Sequence, residues 1–308
     1  MDARLSDPDD LHSYITSYVA MTPPNQVVKI HGYHSSTTYR NNKKETERVV
    51  DFDIKLSMQA YLPLGGVLEN GWLPKLAANR DRVYRGSWKK NVAEGHKEDV
   101  ERYEYERDLR QWCEHFCASK ARLRAFRVKQ DVTGLDTDYL RKNLETLIRS
   151  TNYKGHLQIT FPIEGRYVDI YNPHPINEWR TNWVRYLFYI SMLWIITWPI
   201  LIFATRWWTV YSVDWRFSWV EQTKKKYSVT TEPGWYNKHA ALIRRLAMSN
   251  FQGDATGLPL EVQTEARSRS TGNANVDNAV SLLQGGIQVW NTIQRGAGRD
   301  VDSWGADS

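Results

Sequence analysis

The feature that most constrains this chain is an uncharged, strongly apolar run over residues 186–205. A helix needs about 20 apolar residues to cross the hydrocarbon core of a bilayer, and core helices of soluble domains are usually shorter and amphipathic. Tryptophan and arginine flank the run on both sides, as is typical of a membrane–water interface. The sequence therefore predicts a membrane segment that includes Tyr186, Leu193, Trp194, Trp198, Pro199, Phe203 and Thr205, with interface residues Trp183, Arg185, Arg206, Trp207 and Trp208.

Two topologies fit this segment. The first is a spanning helix, which the absence of a signal peptide and of glycosylation sequons orients with the N-terminal part in the cytosol. In the second, Pro199 breaks the run, and residues 186–213 dip into the cytosolic leaflet and return. Basic residues on both flanks leave the positive-inside rule in conflict with the first topology. Both place the protein on an intracellular membrane, the endoplasmic reticulum or another endomembrane.

The rest of the chain predicts an α+β fold, with a small mixed or antiparallel sheet and two main helices. Residues 26–33 and 48–56 read as a strand pair, residues 97–129 and 137–150 as helices, and residues 155–171 as a hairpin-like unit. The predicted organisation is a peripheral N-terminal arm (1–24), a soluble domain (25–180), the membrane segment with aromatic flanks (181–215), a basic juxtamembrane region (216–251), a flexible linker (252–275), and an amphipathic helix with a partly disordered tail (276–308).

Basic residues follow the apolar run. The formal net charge of +6 would suit nucleic acid or anionic lipid. Because a membrane segment precedes them, we predict contact with anionic lipid headgroups and not with nucleic acid, through Lys224, Lys225, Lys226, Arg244 and Arg245.

The C-terminal region carries a second apolar pattern. Its residues recur at steps of three and four, as on the seam of a coiled coil: Val276, Val280, Leu283, Ile287 and Trp290. Gly285 and Gly286 interrupt the pattern, and each costs about 1 kcal/mol relative to alanine in a helix. The pattern therefore predicts a partner-binding helix that is unstable alone; folding against a protein partner, a membrane surface or its own domain would each fit that instability.

Few residues point to chemistry. The pairs His31 and His34, and Cys113 and Cys117, are metal-ligand types, but on a helix His115 would point away from the two cysteines, which favours a structural role for the thiols. Asp51 and Asp53 are expected on one solvated strand face. No nucleotide-binding or hydrolase motif occurs in the sequence, and no catalytic residue, metal or cofactor is predicted.

These observations favour a non-catalytic membrane-anchored adaptor, tether or scaffold that presents an α+β domain at the cytosolic surface. The first alternative is a membrane-bound enzyme or metal-binding protein that uses His31, His34, Cys113 and Cys117. The second is an accessory subunit of a larger membrane complex.

Overall fold

The structure is a computed structural model that describes residues 3–40, 43–63, 72–78, 80–92, 104–260 and 303–307. The α-helices are α1 (Pro8–Tyr14), α2 (Glu104–Ala118), α3 (Thr137–Arg149), α4 (Pro175–Thr181), α5 (Val184–Ile190), α6 (Trp194–Ala204) and α7 (Glu232–Met248). The strands are β1 (Asn25–Arg40), β2 (Lys43–Ser57), β3 (Trp72–Leu76), β4 (Arg85–Ser87), β5 (Leu123–Thr133), β6 (His156–Thr160), β7 (Ile163–Glu164), β8 (Tyr167–Tyr171), β9 (Thr205–Arg216), β10 (Ser218–Glu221), β11 (Lys224–Tyr227) and β12 (Gln252–Asp254). These helices and mixed sheets confirm the predicted α+β class.

The chain divides into two compact units, each assembled from three separate stretches. The first unit comprises Met1–Pro24, Leu62–Thr133 and Gly165–Ser228. The second unit comprises Asn25–Tyr61, Gly134–Glu164 and Val229–Ser308. This division differs from the prediction of one soluble domain over residues 25–180, because the chain passes repeatedly from one unit to the other.

The first unit is built on a sheet in the order β3-β9-β5-β8, with β4 also paired to β9. The central strands β5 and β9 run parallel, from Leu123 opposite Thr205 to Thr133 opposite Arg216. Apolar side chains of these strands and of α1 and α2 form one buried core, which includes Leu11, Leu109, Cys113, Phe116, Phe126, Val128, Trp208, Val213 and Trp215. The unit therefore buries much of the aromatic sequence that follows the apolar run.

The predicted helix over residues 97–129 is wrong beyond Ala118, where α2 ends. The chain then continues as β5, in which buried and partly exposed residues largely alternate. Nη1 of Arg124 on this strand donates to three backbone oxygens at the end of α2, those of Phe116, Cys117 and Ser119, at 2.7–2.8 Å. The carbonyl groups at the end of α2 are therefore satisfied by Arg124, a cation on the following strand β5.

The N-terminal arm is part of the core of the first unit and is not peripheral. α1 continues into a π-helical turn, and Leu11, Ile15 and Ala20 are fully buried. Nε2 of the buried Gln130 on β5 donates to the backbone oxygens of Val19 at 2.7 Å and Thr22 at 3.0 Å. Because a buried amide needs hydrogen-bond partners, these contacts fix the arm against the sheet.

The second unit contains a sheet in the order β12-β2-β1-β6, with β7 also paired to β1. The predicted strand pair is confirmed: β1 and β2 are antiparallel, with Ile30 opposite Ile54. Phe52, Ile54 and Leu56 alternate with polar residues and are buried, as their period of two predicts. Helices α3 and α7 contribute further buried residues: Leu140, Leu144, Ile148, Trp235, Leu242, Ile243 and Leu246.

The hairpin-like unit predicted over residues 155–171 is wrong. Its first strand, β6, pairs with β1 in the second unit. Its second strand, β8, pairs with β5 in the first unit. Both strands exist close to their predicted positions, but local pattern could not show that their partners are distant in sequence.

Part of the predicted flexible linker is ordered. Gln252–Asp254 form β12, which runs parallel to β2, and Ala255 and Leu258 are buried. The remainder of the predicted linker and the predicted partner helix, with Val276, Val280, Leu283, Ile287 and Trp290, lie outside the described residues.

Candidate functional site

The apolar run begins after the short helix α4. Two residues at the start of α4 explain why the helix begins there. His174 is extended, its Nδ1 accepts from the backbone N–H of Ile176 at 3.3 Å, and Pro175 occupies the first helical position. Asn177 is fully buried, and its Nδ2 donates to the backbone oxygen of Asn172 at 3.1 Å. The entry to the run is therefore fixed on the first unit.

The run itself forms two helices instead of the single predicted membrane helix. α5 ends at Ile190 and α6 begins at Trp194, and between them Met192 adopts a left-handed conformation with φ of 56°. Pro199 lies inside α6 and does not break the run, contrary to the prediction for the hairpin. Among the described residues, no helix combines the length and the apolar character needed to cross a membrane.

The run ends at Ala204, because Thr205 begins strand β9 and is fully buried. The prediction that residues 200–213 return through the membrane as a second arm is therefore wrong. Nη1 of Arg180 in α4 donates to Oγ1 of Thr205 at 3.3 Å. The two ends of the run thus lie next to each other in the first unit.

Between these two points, large apolar side chains are exposed. No residue of α5 or α6 is buried. Exposed fractions reach 81% for Ile190 and 65% for Ile196, and similar values hold for Trp183, Tyr186, Leu187, Tyr189, Met192, Leu193, Ile195, Trp198, Ile200 and Phe203. We call residues 183–204 the apolar projection. A contiguous exposed apolar patch of this kind marks a surface for a membrane or a protein.

A groove of about 670 Å³ lies beside the projection, within the first unit. It is lined mainly by apolar and aromatic side chains, among them Tyr171, Trp179, Phe188, Tyr189, Trp198 and Leu201. Two cations also line it: the Arg180 guanidinium lies 4.9 Å from the Tyr171 ring centroid, and Nη2 of Arg185 donates to the Tyr186 hydroxyl at 2.9 Å. Aromatic rings beside arginine are the combination that prevails at headgroup depth.

The predicted interface residues divide into two groups. Trp183 and Arg185 are exposed at the start of the projection. On the other side, Arg206 and Trp207 are half-buried, and Trp208 is buried with its ring centroid 5.2 Å from that of Phe116. The prediction of an interface position for Trp208 is therefore wrong, because a strand of the core takes up this tryptophan.

The predicted lipid-surface cations belong to both units. Lys224–Tyr227 form β11, which pairs with β10 beyond the far end of β9 from the projection. β9 has 12 residues, and a strand of that length extends for about 40 Å at roughly 3.3 Å per residue. Arg244 and Arg245 belong to α7 of the second unit, where burial lowers the pKa of the half-buried Arg245.

A polar cluster that sequence reasoning missed lies on the second unit. Between Gly32 and Tyr33 the pairing of β1 with β2 is irregular, so Asp51 has no direct partner in the register. The bulge directs Asp51 away from the face of Asp53. Its carboxylate accepts from Nδ1 of His34 at 2.8 Å and from the hydroxyl of Tyr153 at 2.8 Å. Burial and the Asp51 carboxylate raise the pKa of Tyr153 far above its ordinary value.

The four residues of the predicted metal site do not form one. His31 and His34 belong to the second unit and Cys113 and Cys117 to the first. Burial raises the pKa of the Cys113 thiol to about 12, so the thiolate needed for metal binding is disfavoured. Within the described part of the chain, no group of three or more His, Cys, Asp or Glu side chains could hold a metal ion.

Comparison with known proteins gives no relative for this chain: no protein-family model, no curated protein and no solved structure matches it.

Proposed function

We propose that this protein is a membrane-docked adaptor or tether, which the apolar projection holds on one leaflet of a bilayer. The observation that carries the proposal is the exposure of nearly every large apolar side chain in residues 183–204. The same projection could instead pack into a larger membrane complex as an accessory subunit. The enzyme alternative has no metal cluster to support it among the described residues.

The free energy available from the projection is sufficient for docking. Burial of one large apolar side chain contributes about 1.5–3 kcal/mol. Three or four inserted side chains therefore approach the roughly 8 kcal/mol of a micromolar interaction. A basic residue near an anionic surface adds only about 1 kcal/mol. Apolar insertion should therefore dominate over headgroup charge, and anionic lipid should strengthen docking only modestly.

The geometry supports docking from one side. α5 has seven residues and α6 has 11, which correspond to about 10 Å and about 16 Å of helix. Each is about half the roughly 30 Å hydrocarbon core, or less. The hydrogen bond between Arg180 and Thr205 holds the two ends of the projection together. We therefore favour a one-sided topology in which only α5 and α6 enter the leaflet, with both units on the cytosolic side of an endomembrane.

Flotation of purified full-length protein with phosphatidylcholine vesicles tests docking. Replacement of Ile196 by aspartate places a charge on α6, which at membrane depth costs about 2.5–3.5 kcal/mol. We expect Ile196→Asp to reduce the vesicle-bound fraction by at least about tenfold, since tenfold corresponds to about 1.4 kcal/mol. The matched control is Val220→Asp, because Val220 is 74% exposed on the β10-β11 hairpin.

Equal binding of the wild type and Ile196→Asp would contradict the proposal. Binding that requires phosphatidylserine and is unaffected by Ile196→Asp would assign docking to the basic residues instead. Failure of the wild type to float, combined with its recovery in a stable detergent-resistant complex with other membrane proteins, would favour the accessory subunit.

Protease protection decides the topology. Tags at both ends of the full-length chain, on sealed vesicles prepared from cells, should both be removed from outside if the projection is a hairpin. Protection of one tag would establish a spanning segment and contradict the one-sided arrangement.

A further inference from the structure

Residues 303–307 pack against other parts of the second unit, with a bend at Gly305. The backbone N–H of Lys154 donates to the Trp304 oxygen at 2.8 Å, and the N–H of Trp304 donates to the Asn152 oxygen at 3.4 Å. Tyr153 and Trp304 thereby form a parallel β-bridge. We call the surface formed by residues 151–156, Ser35 and Phe52 the tail cleft.

Trp304 is the apolar anchor of this contact. Its ring centroid lies 4.5 Å from that of Tyr153 and 5.8 Å from that of Phe52. Its indole Nε1 donates to the backbone oxygen of Thr151 at 3.0 Å. Both the apolar body and the polar tip of the tryptophan are therefore satisfied within the cleft, as is usual for a binding anchor.

Gly305 is required at the next position. Its φ is 69°, which disfavours other residues, and a Cβ on it would lie 2.2 Å from Cε2 of Tyr153. The facing Gly155 is equally restricted, because a Cβ there would lie 2.6 Å from the backbone oxygen of Gly305. The two glycines let the backbones of tail and cleft approach closely.

Asp307 is the charged anchor. One oxygen, Oδ1, accepts from the backbone N–H of Ser35 at 2.7 Å, and Oδ2 lies 3.3 Å from Nε2 of His156. The carboxylate is two residues beyond the glycine. Every anchor therefore falls within the pattern Trp-Gly-x-Asp.

We propose that the tail cleft is a peptide-binding site for the pattern Trp-Gly-x-Asp, which the chain's own C-terminal residues occupy in cis. The contacts described above involve side chains and backbone of residues 304–307 only, so a short peptide carries the recognition.

Displacement of the tail by a synthetic peptide tests the site. The probe is a fluorescein-labelled peptide with the sequence of residues 302–308, and the readout is anisotropy with the full-length chain. The wild type should bind it weakly, because a tethered tail competes at a local concentration of roughly millimolar. Trp304→Ala removes the main anchor of the tail, so its apparent affinity for the probe should rise at least about tenfold.

A second variant keeps the test decisive if Trp304→Ala fails to fold. The side chain of Asp307 is 56% exposed, so Asp307→Asn should leave the fold intact. It should raise the apparent affinity for the probe by about two- to fivefold, since it weakens a charge-assisted hydrogen bond. It should also accelerate hydrogen exchange at the Lys154 amide. Asp138→Asn is the matched control, because Asp138 is 88% exposed on α3 of the same unit.

The peptide controls define specificity. A probe with alanine in place of the residue that matches Gly305 should not bind any variant, because its Cβ would clash with Tyr153. Equal weak binding by the wild type and Asp307→Asn, with unchanged exchange at Lys154, would overturn the proposal. Equal affinity for the alanine-containing probe would also overturn it.

Discussion

Helices α3 and α6 are similar in length but opposite in the relation of their apolar residues to the rest of the chain. α3 has Leu140, Leu144 and Ile148 fully buried, and its other face is polar. α6 has no charged residue and no buried one. The apolar face of α3 is thus covered by the described chain, whereas the side chains of α6 stay at least partly exposed. Apolar composition alone therefore does not show whether a helix belongs to a core or to an exposed surface, because the rest of the fold decides which of its side chains are covered.

Truncation of one side chain on each helix should give the largest contrast. Leu144→Ala removes buried methyl groups, and such changes cost about 2–5 kcal/mol. Ile196→Ala removes atoms that are already 65% exposed, and surface substitutions of this kind usually lie within about 0.5 kcal/mol. Urea unfolding of the full-length variants measures both changes. A loss above about 1 kcal/mol for Ile196→Ala in the absence of lipid would mean that α6 is covered by protein in solution.

The turns that follow α3 and α5 both contain a residue in the left-handed conformation. Asn152 and Met192 both have positive φ, of 62° and 56°. Asparagine tolerates this conformation, whereas methionine is strained there by about 1–2 kcal/mol. Met192→Gly should therefore stabilise its turn by up to about 1 kcal/mol, and Asn152→Gly its own turn by only a few tenths.

Hydrogen exchange gives the local measurement for these turns. The N–H of Ile195 donates to the Met192 oxygen at 3.2 Å and closes the turn before α6. Met192→Gly should slow exchange at Ile195 by up to about fivefold, since 1.4 kcal/mol corresponds to tenfold. Slower exchange after Asn152→Gly than after Met192→Gly, each measured at its own turn, would contradict the strain argument.

The smallest effect should come from mild acid, through a buried histidine of the second unit. His239 on α7 is buried, its ring stacks on Trp235 at 4.5 Å, and its Nδ1 lies 2.9 Å from the Trp235 oxygen. Burial lowers the pKa of His239 below its ordinary 6.5. The unfolded chain therefore binds this proton first as the pH falls, and stability decreases as the pH falls below about 6.5.

Urea midpoints at about pH 7.5 and about pH 5.5 measure this effect. The wild type should lose stability between them, and His239→Gln should lose less. α6 contains no titratable residue, so vesicle binding should be unchanged over the same range. An equal acid-induced loss in His239→Gln would assign the pH dependence to other groups.

The elements that the sequence predicts well are those whose pattern and partner are both local. The strand pair formed by β1 and β2 shows period two and is joined by a short connection, and α3 has a cap at Asp136 and a single apolar stripe. Both are confirmed. The apolar run is evident in the sequence itself, and in the structure neither of its two helices has a buried residue. Membrane docking stays a prediction.

The failures occur where a distant residue decides the outcome. Residues 123–129 could continue a helical stripe, but pairing of β5 with β9 and β8 makes them a strand. Asp51 was expected on the solvated face with Asp53, but a bulge turns it toward His34 and Tyr153. No local pattern predicts the tail cleft, because its two sides are about 150 residues apart in the sequence. The adjacent Trp304 and Gly305 suit a close backbone approach but do not identify the surface that they contact.

The α+β class and the uncharged, strongly apolar character of residues 186–204 follow from the sequence. Those properties follow from composition and short-range periodicity, which act through hydrophobic burial and backbone geometry within one element. The folded structure adds the break of the run at Met192, the contact of its ends at Arg180 and Thr205, and the position of residues 304–307 in a cleft. These features depend on contacts between residues far apart in the chain. A local sequence pattern does not determine the free energies of such contacts.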